Sequence, residues 1–402
     1  MYILAQHGWG KSDKIERGIR DKSLVGVVMS PKDERIDKFE TFVSEFHPKF
    51  EEAKILMDPQ FYHVPFQNSK DGNLGDYPYY PGYHNISAFR GSKNTRGFVK
   101  DVLLYQEERD FNYITSPTIH ISSFSSREAQ ITLDFAQESV DVRDENEFIK
   151  PLLISFTIHE NAFLDKRLME NFLDELSMIE AHGIYLIISR NPTGYHQKYD
   201  DPSKLANILA FIYSLSEINQ FEVIVGFADF CGMLYLAAGA THIATGWSQG
   251  LRRFTLDRIA PEITGGRRPR PRYSSGPLFN SILTSELDSI LTSRLKNQFD
   301  QFLSQTTYDH LIRNNPLNPA WDEATSTLHH WMALENTAQR LFSGKEDDVT
   351  ERFDSMESAI SNAIGLYTIL DKAYVQFDSK SNSNHLEGWV NAIREFRLDA
   401  SI

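Results

Sequence analysis

The sequence predicts an α/β chain built as a (β/α)8 barrel of the TIM type, with a long loop after the third strand and an all-helical C-terminal extension. Three observations carry that prediction. Eight short apolar segments occur before residue 250 as runs, not as alternating patterns, which is how strands buried on both faces read. Helical spacing follows the runs, and eight strand–helix units in one chain suggest a closed barrel. Each run also ends in polar or glycine residues, the side on which barrels of this kind carry their chemistry.

The clearest unit is 221–250. A buried strand at 223–225 stops at Gly226, a helix rich in Leu and Ala ends at Gly239, and a second apolar run ends at Gly246. These supply strands seven and eight. Upstream, 2–5 is the first strand and leads into the glycine-punctuated loop Gln6-His7-Gly8-Trp9-Gly10. The second, 25–29, is closed by Ser30-Pro31, and the helix after it sets Ile36, Phe39, Phe42 and Val43 on one face. The third, 54–57, is stopped by Asp58-Pro59. The connection that follows, 60–96, far exceeds a usual loop of about 4–6 residues and holds an aromatic tract at 61–83. A helix at 97–108 leads to strand four at 118–121, which ends in Ser122-Ser123. Strand five, 152–158, ends in His159-Glu160-Asn161, and strand six, 184–188, ends in Ser189-Arg190-Asn191-Pro192. Between them a helix near 164–181 carries Leu168, Phe172, Leu173, Leu176 and Ile179 at helical spacing.

Past 251 the character changes. Residues 252–272 hold seven arginines against two acids. Only helices are expected downstream, at 280–304, 320–342, 347–374 and 385–397. The first, with Ile282, Leu283, Leu287, Ile290, Leu291 and Leu295 on one face, is expected to be the eighth barrel helix. The chain therefore divides into a barrel, 1–305, and a helical extension, 306–402.

Composition narrows the function. Forty-one basic and 55 acidic side chains give a net charge of −14, which disfavours non-specific adhesion to nucleic acid or an anionic membrane. The lone Cys231 excludes an intramolecular disulfide and any cysteine-based zinc site. No signal peptide and no bilayer-spanning apolar stretch is read, so the cytoplasm is the expected compartment. Phosphate-loop and His-Glu-x-x-His motifs are missing, and no metal or cofactor is expected.

The candidate chemistry sits at the strand ends. Asp58, held extended by the proline after it, suits a general acid, a base or a substrate anchor. The alternative is a turn-forming aspartate. His159 and Glu160 are a base and a carboxylate in sequence, but neighbours on an extended chain point to opposite sides, so only one faces the axis. His7 is the fourth candidate catalytic group. For binding, Arg190 and Asn191 suit a carboxylate or phosphate clamp, or Arg190 pairs with Glu160 or Asp229 and holds loops together. Asp229 reads as a helix cap or a site residue. Gly226, Gly246, Trp247, Arg252 and Arg253 complete a phosphate-site pattern after strands seven and eight.

The expectation is a barrel enzyme acting by acid–base chemistry on a polar, anionic small molecule, a nucleotide or sugar phosphate. Two rivals remain. One is a non-catalytic subunit that docks a protein partner or a second copy through 61–83 and 320–402, where Trp321, Trp331 and Trp389 look for cover. The other acts on nucleic acid through Arg267, Arg268, Arg270 and Arg272.

Overall fold

Parallel strands cannot be joined by tight turns, so each needs a crossover, and a helix is the usual one. The computed structural model describes residues 1–192, 197–259 and 270–402. β1 (Ile3–Gln6) is followed by α1 (Lys14–Arg20), β2 (Gly26–Met29) by α2 (Ile36–Lys49), and β3 (Lys54–Met57) by the long connection and α3 (Ser92–Glu107). β4 comes in two short pieces, Ile114–Thr115 and His120–Ile121, before α4 (Arg127–Glu145). Then come β5 (Leu152–His159), α5 (Lys166–Leu176), β6 (Gly183–Ser189), α6 (Pro202–Tyr213), β7 (Glu222–Gly226), α7 (Gly232–Ala237) and β8 (His242–Thr245). The strand order is β3-β2-β1-β8-β7-β6-β5-β4, all parallel. This is a nearly closed eight-stranded barrel of the TIM type, as expected.

The seam lies between β3 and β4. Asn112 donates its backbone N–H to the Ile55 carbonyl at 2.9 Å, and its side-chain Oδ1 accepts the Ile55 N–H at 2.6 Å. One residue thus satisfies both backbone groups that a paired strand would have taken.

Register fixes which side chains enter the barrel, because paired residues on parallel strands share a face. Ser155, Tyr185 and Ile224 lie side by side. The Tyr185 hydroxyl crosses to Gln6 Oε1 at 3.4 Å, so this face looks inward. The alternate face looks outward: Phe156 packs on Phe172 of α5. At the N-terminal end Glu222 accepts from Lys54 Nζ (2.8 Å), Tyr113 OH (3.1 Å) and His182 Nε2 (2.9 Å). Burial opposes the Glu222 charge, but hydrogen bonds from His242, Lys54 and His182 outweigh it and hold the carboxyl well below the usual range. Polar contacts therefore stopper the bottom of the barrel.

The expected helix at 280–304 is corrected. Residues 272–283 form an antiparallel hairpin, β9 (Arg272–Ser275) with β10 (Asn280–Leu283), and α8 (Thr284–Thr292) starts only after it. Ile282 pairs with Tyr273 across the hairpin, and Glu286 accepts the Leu283 N–H at 2.6 Å, which sets the helix start beyond Leu283. A 3₁₀ stretch, Lys296–Phe302, replaces the rest of the expected helix.

The last three helices fall close to their expected places: α9 (Glu323–Phe342), α10 (Val349–Lys372) and α11 (Leu386–Ala400). They pack on the barrel. α7 has only six residues, and α9 and α10 both lie against it. Trp331 donates to the Thr245 carbonyl at 2.9 Å, Trp389 to Gln197 O at 3.3 Å and Trp321 to Arg272 O at 3.0 Å. All three indoles are buried within this chain, which removes the reason for seeking their cover in another. Among the described residues no helix is long and apolar enough to cross a membrane.

Asn112→Ala leaves the buried Ile55 N–H without an acceptor. The expected loss is about 1–3 kcal/mol, read as a lower urea midpoint, with faster hydrogen exchange at the Ile55 amide. An unchanged exchange rate there contradicts the closing role of Asn112.

Candidate active site at the barrel mouth

Alternation sends Asp58 inward. Val28 sits beside both Gln6 and Leu56 in register, and Asp58 lies two residues past Leu56 on the same face. The carboxyl is fully buried. Its Oδ1 accepts the Gln60 N–H at 3.0 Å and its Oδ2 accepts the Tyr62 hydroxyl at 2.9 Å. Burial pushes its pKa up to about 7, against those two hydrogen bonds and the charge of Arg258. Burial, with the Asp58 charge next, also pushes the Tyr185 phenol well above its ordinary value.

Rings cover the mouth. Tyr62, from the long third loop, meets Phe254 edge-on with centroids 5.1 Å apart, and Phe254 meets Phe227 at 5.2 Å. Phe254 is held because Arg190 donates its backbone N–H to the Phe254 carbonyl at 2.8 Å. Gln60 and Phe227, which follow β3 and β7, both take left-handed backbone (φ +54° and +55°), a conformation that non-glycine residues adopt at some energetic cost. The aromatic tract is otherwise packed on its own barrel: Phe61, Tyr77, Tyr79 and Tyr80 are buried, and of its rings only Tyr83 is well exposed.

The expected site residues separate into three places. Asp58 and His159 face the axis. His159 is half-buried, takes the Asn161 N–H on Nδ1 at 3.2 Å and lies 5.9 Å, ring to ring, from His120. Glu160 points the other way, as adjacent residues must, into a buried ion pair with Arg190 at 2.7 Å. It also accepts the Asn191 N–H at 2.8 Å. Arg190 further donates to Lys198 O and lies over the Tyr199 ring at 3.5 Å, so this pair holds loops together.

A second group lines a narrow cleft beside the mouth, of about 20 Å³: Arg190, Gly226, Asp229, Arg252 and Arg253, with Gln197, Cys231 and Tyr235. Asp229 accepts the Phe230 N–H at 2.8 Å; Cys231, not Asp229, precedes α7 as its cap residue. Gly226 is required by close approach, since a Cβ there would lie 2.6 Å from the Tyr185 hydroxyl. Gly246 is likewise filled by Leu251 and the Gln6 carbonyl.

The third group lies off the axis. His7 is fully buried beside Trp247, with ring centroids 6.0 Å apart, and takes the Ser30 N–H on Nδ1 at 3.3 Å. Burial lowers its pKa to about 4, so it is neutral at pH 7. Trp247 donates to the Trp9 carbonyl at 2.9 Å, and Arg252 Nε donates to Gly246 O at 2.9 Å. In the arginine tract, Arg270 and Arg272 pair with Asp378 of the extension at 2.8 and 3.5 Å. Arg267 and Arg268 lie outside the described residues.

Sequence reasoning missed the inner wall. Gln6 Nε2, Thr115 Oγ1, Ser155 Oγ, Thr157 Oγ1 and Ser189 Oγ are buried without a hydrogen-bond partner among the described residues, as is His120 Nε2. All stand at inward positions of β1, β4, β5 and β6. A barrel interior is ordinarily filled by branched apolar side chains. Each such atom costs about 1–3 kcal/mol when left unpaired, and a domain's whole net stability is about 5–15 kcal/mol. The signal available was period two in strand five, where Ser155, Thr157 and His159 alternate with Phe156 and Ile158.

Comparison of the sequence with protein-family models and with curated proteins finds no match. Among the described residues no group of three or more His, Cys, Asp or Glu is arranged to hold a metal ion.

Asp58 couples the site to stability. Its folded pKa, about 7, exceeds the ordinary 3.8, so the folded state holds the proton more tightly. The stability this group contributes is fully present below pH 4 and is lost as the pH rises to 7, by roughly 4 kcal/mol. Asp58→Asn, which copies the protonated form, should exceed the wild type in urea stability at pH 8 and match it below pH 4. Parallel stability curves across that range contradict the assignment.

Proposed function

We propose that this protein is an enzyme that works by acid–base chemistry on a polar, anionic small molecule at the C-terminal mouth of its barrel. The observation that carries the reading is Asp58, a fully buried carboxyl just past the end of β3 whose pKa is raised to about 7. Carboxyls ordinarily titrate far below neutral pH and hold no proton to give. One poised near pH 7 both accepts and delivers a proton, and perturbed groups of this kind concentrate at functional sites. Its place fits, because barrels of this type keep catalytic groups at the C-terminal strand ends.

In this reading Asp58 carries the proton and the Tyr62 hydroxyl at 2.9 Å orients the carboxyl. Arg252 and Arg253, lining the adjoining cleft, attract the anionic part of the substrate. Asp229 in the same cleft repels a bare phosphate and favours a substrate whose anion is one end of a larger molecule. Arg190 is assigned to loop support, since its charge is spent on Glu160. The protein-docking reading loses its main support where Trp321, Trp331 and Trp389 are buried in this chain.

Thermal-shift screening with sugar phosphates and nucleotides is the direct test. A true ligand at about a hundred times its Kd stabilises by about 2.7 kcal/mol, and Arg252→Ala should weaken that response. With an active compound identified, Asp58→Asn should lower kcat by roughly 10²–10⁴. Full turnover in Asp58→Asn overturns the reading.

A further inference from the structure

The inner wall has a pattern that the acid–base reading leaves unused. His120 stands beside Thr157 in register, and one step up the barrel His159 stands beside Ser189. One step down, Ser155 stands beside Tyr185. Five polar side chains therefore form one continuous inward patch across β4, β5 and β6. Ser155, Thr157 and Ser189 are fully buried, and their hydroxyls have no hydrogen-bond partner among the described residues. Across the barrel on β1, Gln6 turns Oε1 to Tyr185, while its Nε2 likewise has no such partner.

The chemistry of the patch is specific. Each hydroxyl donates one hydrogen bond and accepts others. Burial lowers the pKa of both His120 and His159, so at neutral pH neither imidazole carries charge, and His159, whose Nδ1 takes the Asn161 N–H, offers a donor. A surface of mixed donors and acceptors without net charge is matched by a partner of the same kind, a chain or ring of hydroxyls. It is poorly matched by a phosphate, which only accepts, or by a nucleobase, which seeks a flat aromatic face. The nearby rings of Tyr62, Phe254 and Phe227 meet one another edge to face at 82° and 69°. Asp58 tops the same interior, and Gly226, which lines the arginine cleft, lies against the Tyr185 hydroxyl.

We infer that the patch of Ser155, Thr157, Ser189, His120 and His159 recognises the uncharged, hydroxyl-bearing part of the substrate, while the arginine cleft takes its anionic end. The substrate class is then a phosphorylated sugar or polyol, not a nucleotide recognised through its base. This rests on the mouth being the active site, as proposed above.

Thr157→Val separates the possibilities, because it keeps the shape and replaces the unpaired hydroxyl with a methyl group. Binding is measured by calorimetry on the full chain with ribose 5-phosphate, glucose 6-phosphate and inorganic phosphate. At least one sugar phosphate should bind the wild type tenfold or more tighter than inorganic phosphate does. Thr157→Val should erase that advantage, leave the inorganic phosphate response unchanged and raise the melting temperature. Thr157→Ser should restore sugar phosphate binding. A hydroxyl with only a structural role gives the opposite signature: Thr157→Val melts lower and binds as the wild type does. That result overturns the inference, as does sugar phosphate binding no tighter than inorganic phosphate. Asp58→Asn keeps the two proposals distinct. Lost Thr157→Val binding with full Asp58→Asn turnover leaves the wall standing and removes the acid–base role.

Discussion

Ile55 sits on the side of β3 that faces no regular strand, and the way its two backbone groups are satisfied governs everything above it. β4 is too short and too broken to supply a ladder, since residues 116–119, with Pro117 among them, separate its two pieces. Asn112 takes both roles, its backbone donating and its side chain accepting, and the ring closes on that residue. Closure puts Asp58, three residues past Ile55, over the barrel axis instead of at an open sheet edge. Water would solvate a carboxyl at an open edge and leave its pKa ordinary. The raised pKa of Asp58 is thus a consequence of its burial at the closed mouth.

The extension meets a different need. A parallel sheet must be covered on its outer face, and α7, at six residues, is too short to cover β7 and β8 alone. α9 and α10 lie over it, and buried hydrogen bonds fix them there. His330 sits between Thr245 and Ser274 (3.3 and 2.8 Å), and Arg352 Nε donates to the Ala237 carbonyl at 3.0 Å. The hairpin of β9 and β10 is drawn into the same layer, because Tyr273 donates to Asp309 at 3.0 Å and receives the Ser304 N–H at 2.7 Å. The extension serves as missing barrel wall.

Most of the fold is legible because burial on both faces writes itself as apolar runs, and the strands overlap those runs, although β4 has a piece at Ile114–Thr115 outside the expected 118–121. The same rule hid the inner wall. In sequence, strand five reads as an apolar run, because Ser155 and Thr157 are small enough to pass inside one. Only the register shows that they share a face. The hairpin at 272–283 is hidden for a related reason: Ile282 and Leu283 extend the helical spacing of Leu287 and Ile290, and pairing with Tyr273 across the hairpin decides against it. For the site, Asp58 was found by its place at a strand end. The Arg190–Glu160 pair was foreseen as an alternative, because opposite charges ending neighbouring strands are bound to meet. Tyr62 and Phe254 reach the mouth from loops, whose paths carry no periodic signal.

Local stability is given up at the mouth from several independent directions. Asp58 is desolvated, Gln60 and Phe227 are held left-handed, and Gln6, Thr157 and Ser189 keep buried polar atoms without partners among the described residues. At the opposite end of the same barrel, Glu222 is satisfied by a shell of donors and its charge is stabilised. One end is built to its electrostatic advantage and the other against it. A sequence selected for stability alone would place apolar side chains at Thr157 and Ser189 and an amide at Asp58, changes that fit the existing space. Unfavourable groups gathered at the C-terminal strand ends, where this architecture carries chemistry, are the pattern expected when function sets the residues and the rest of the fold sustains them.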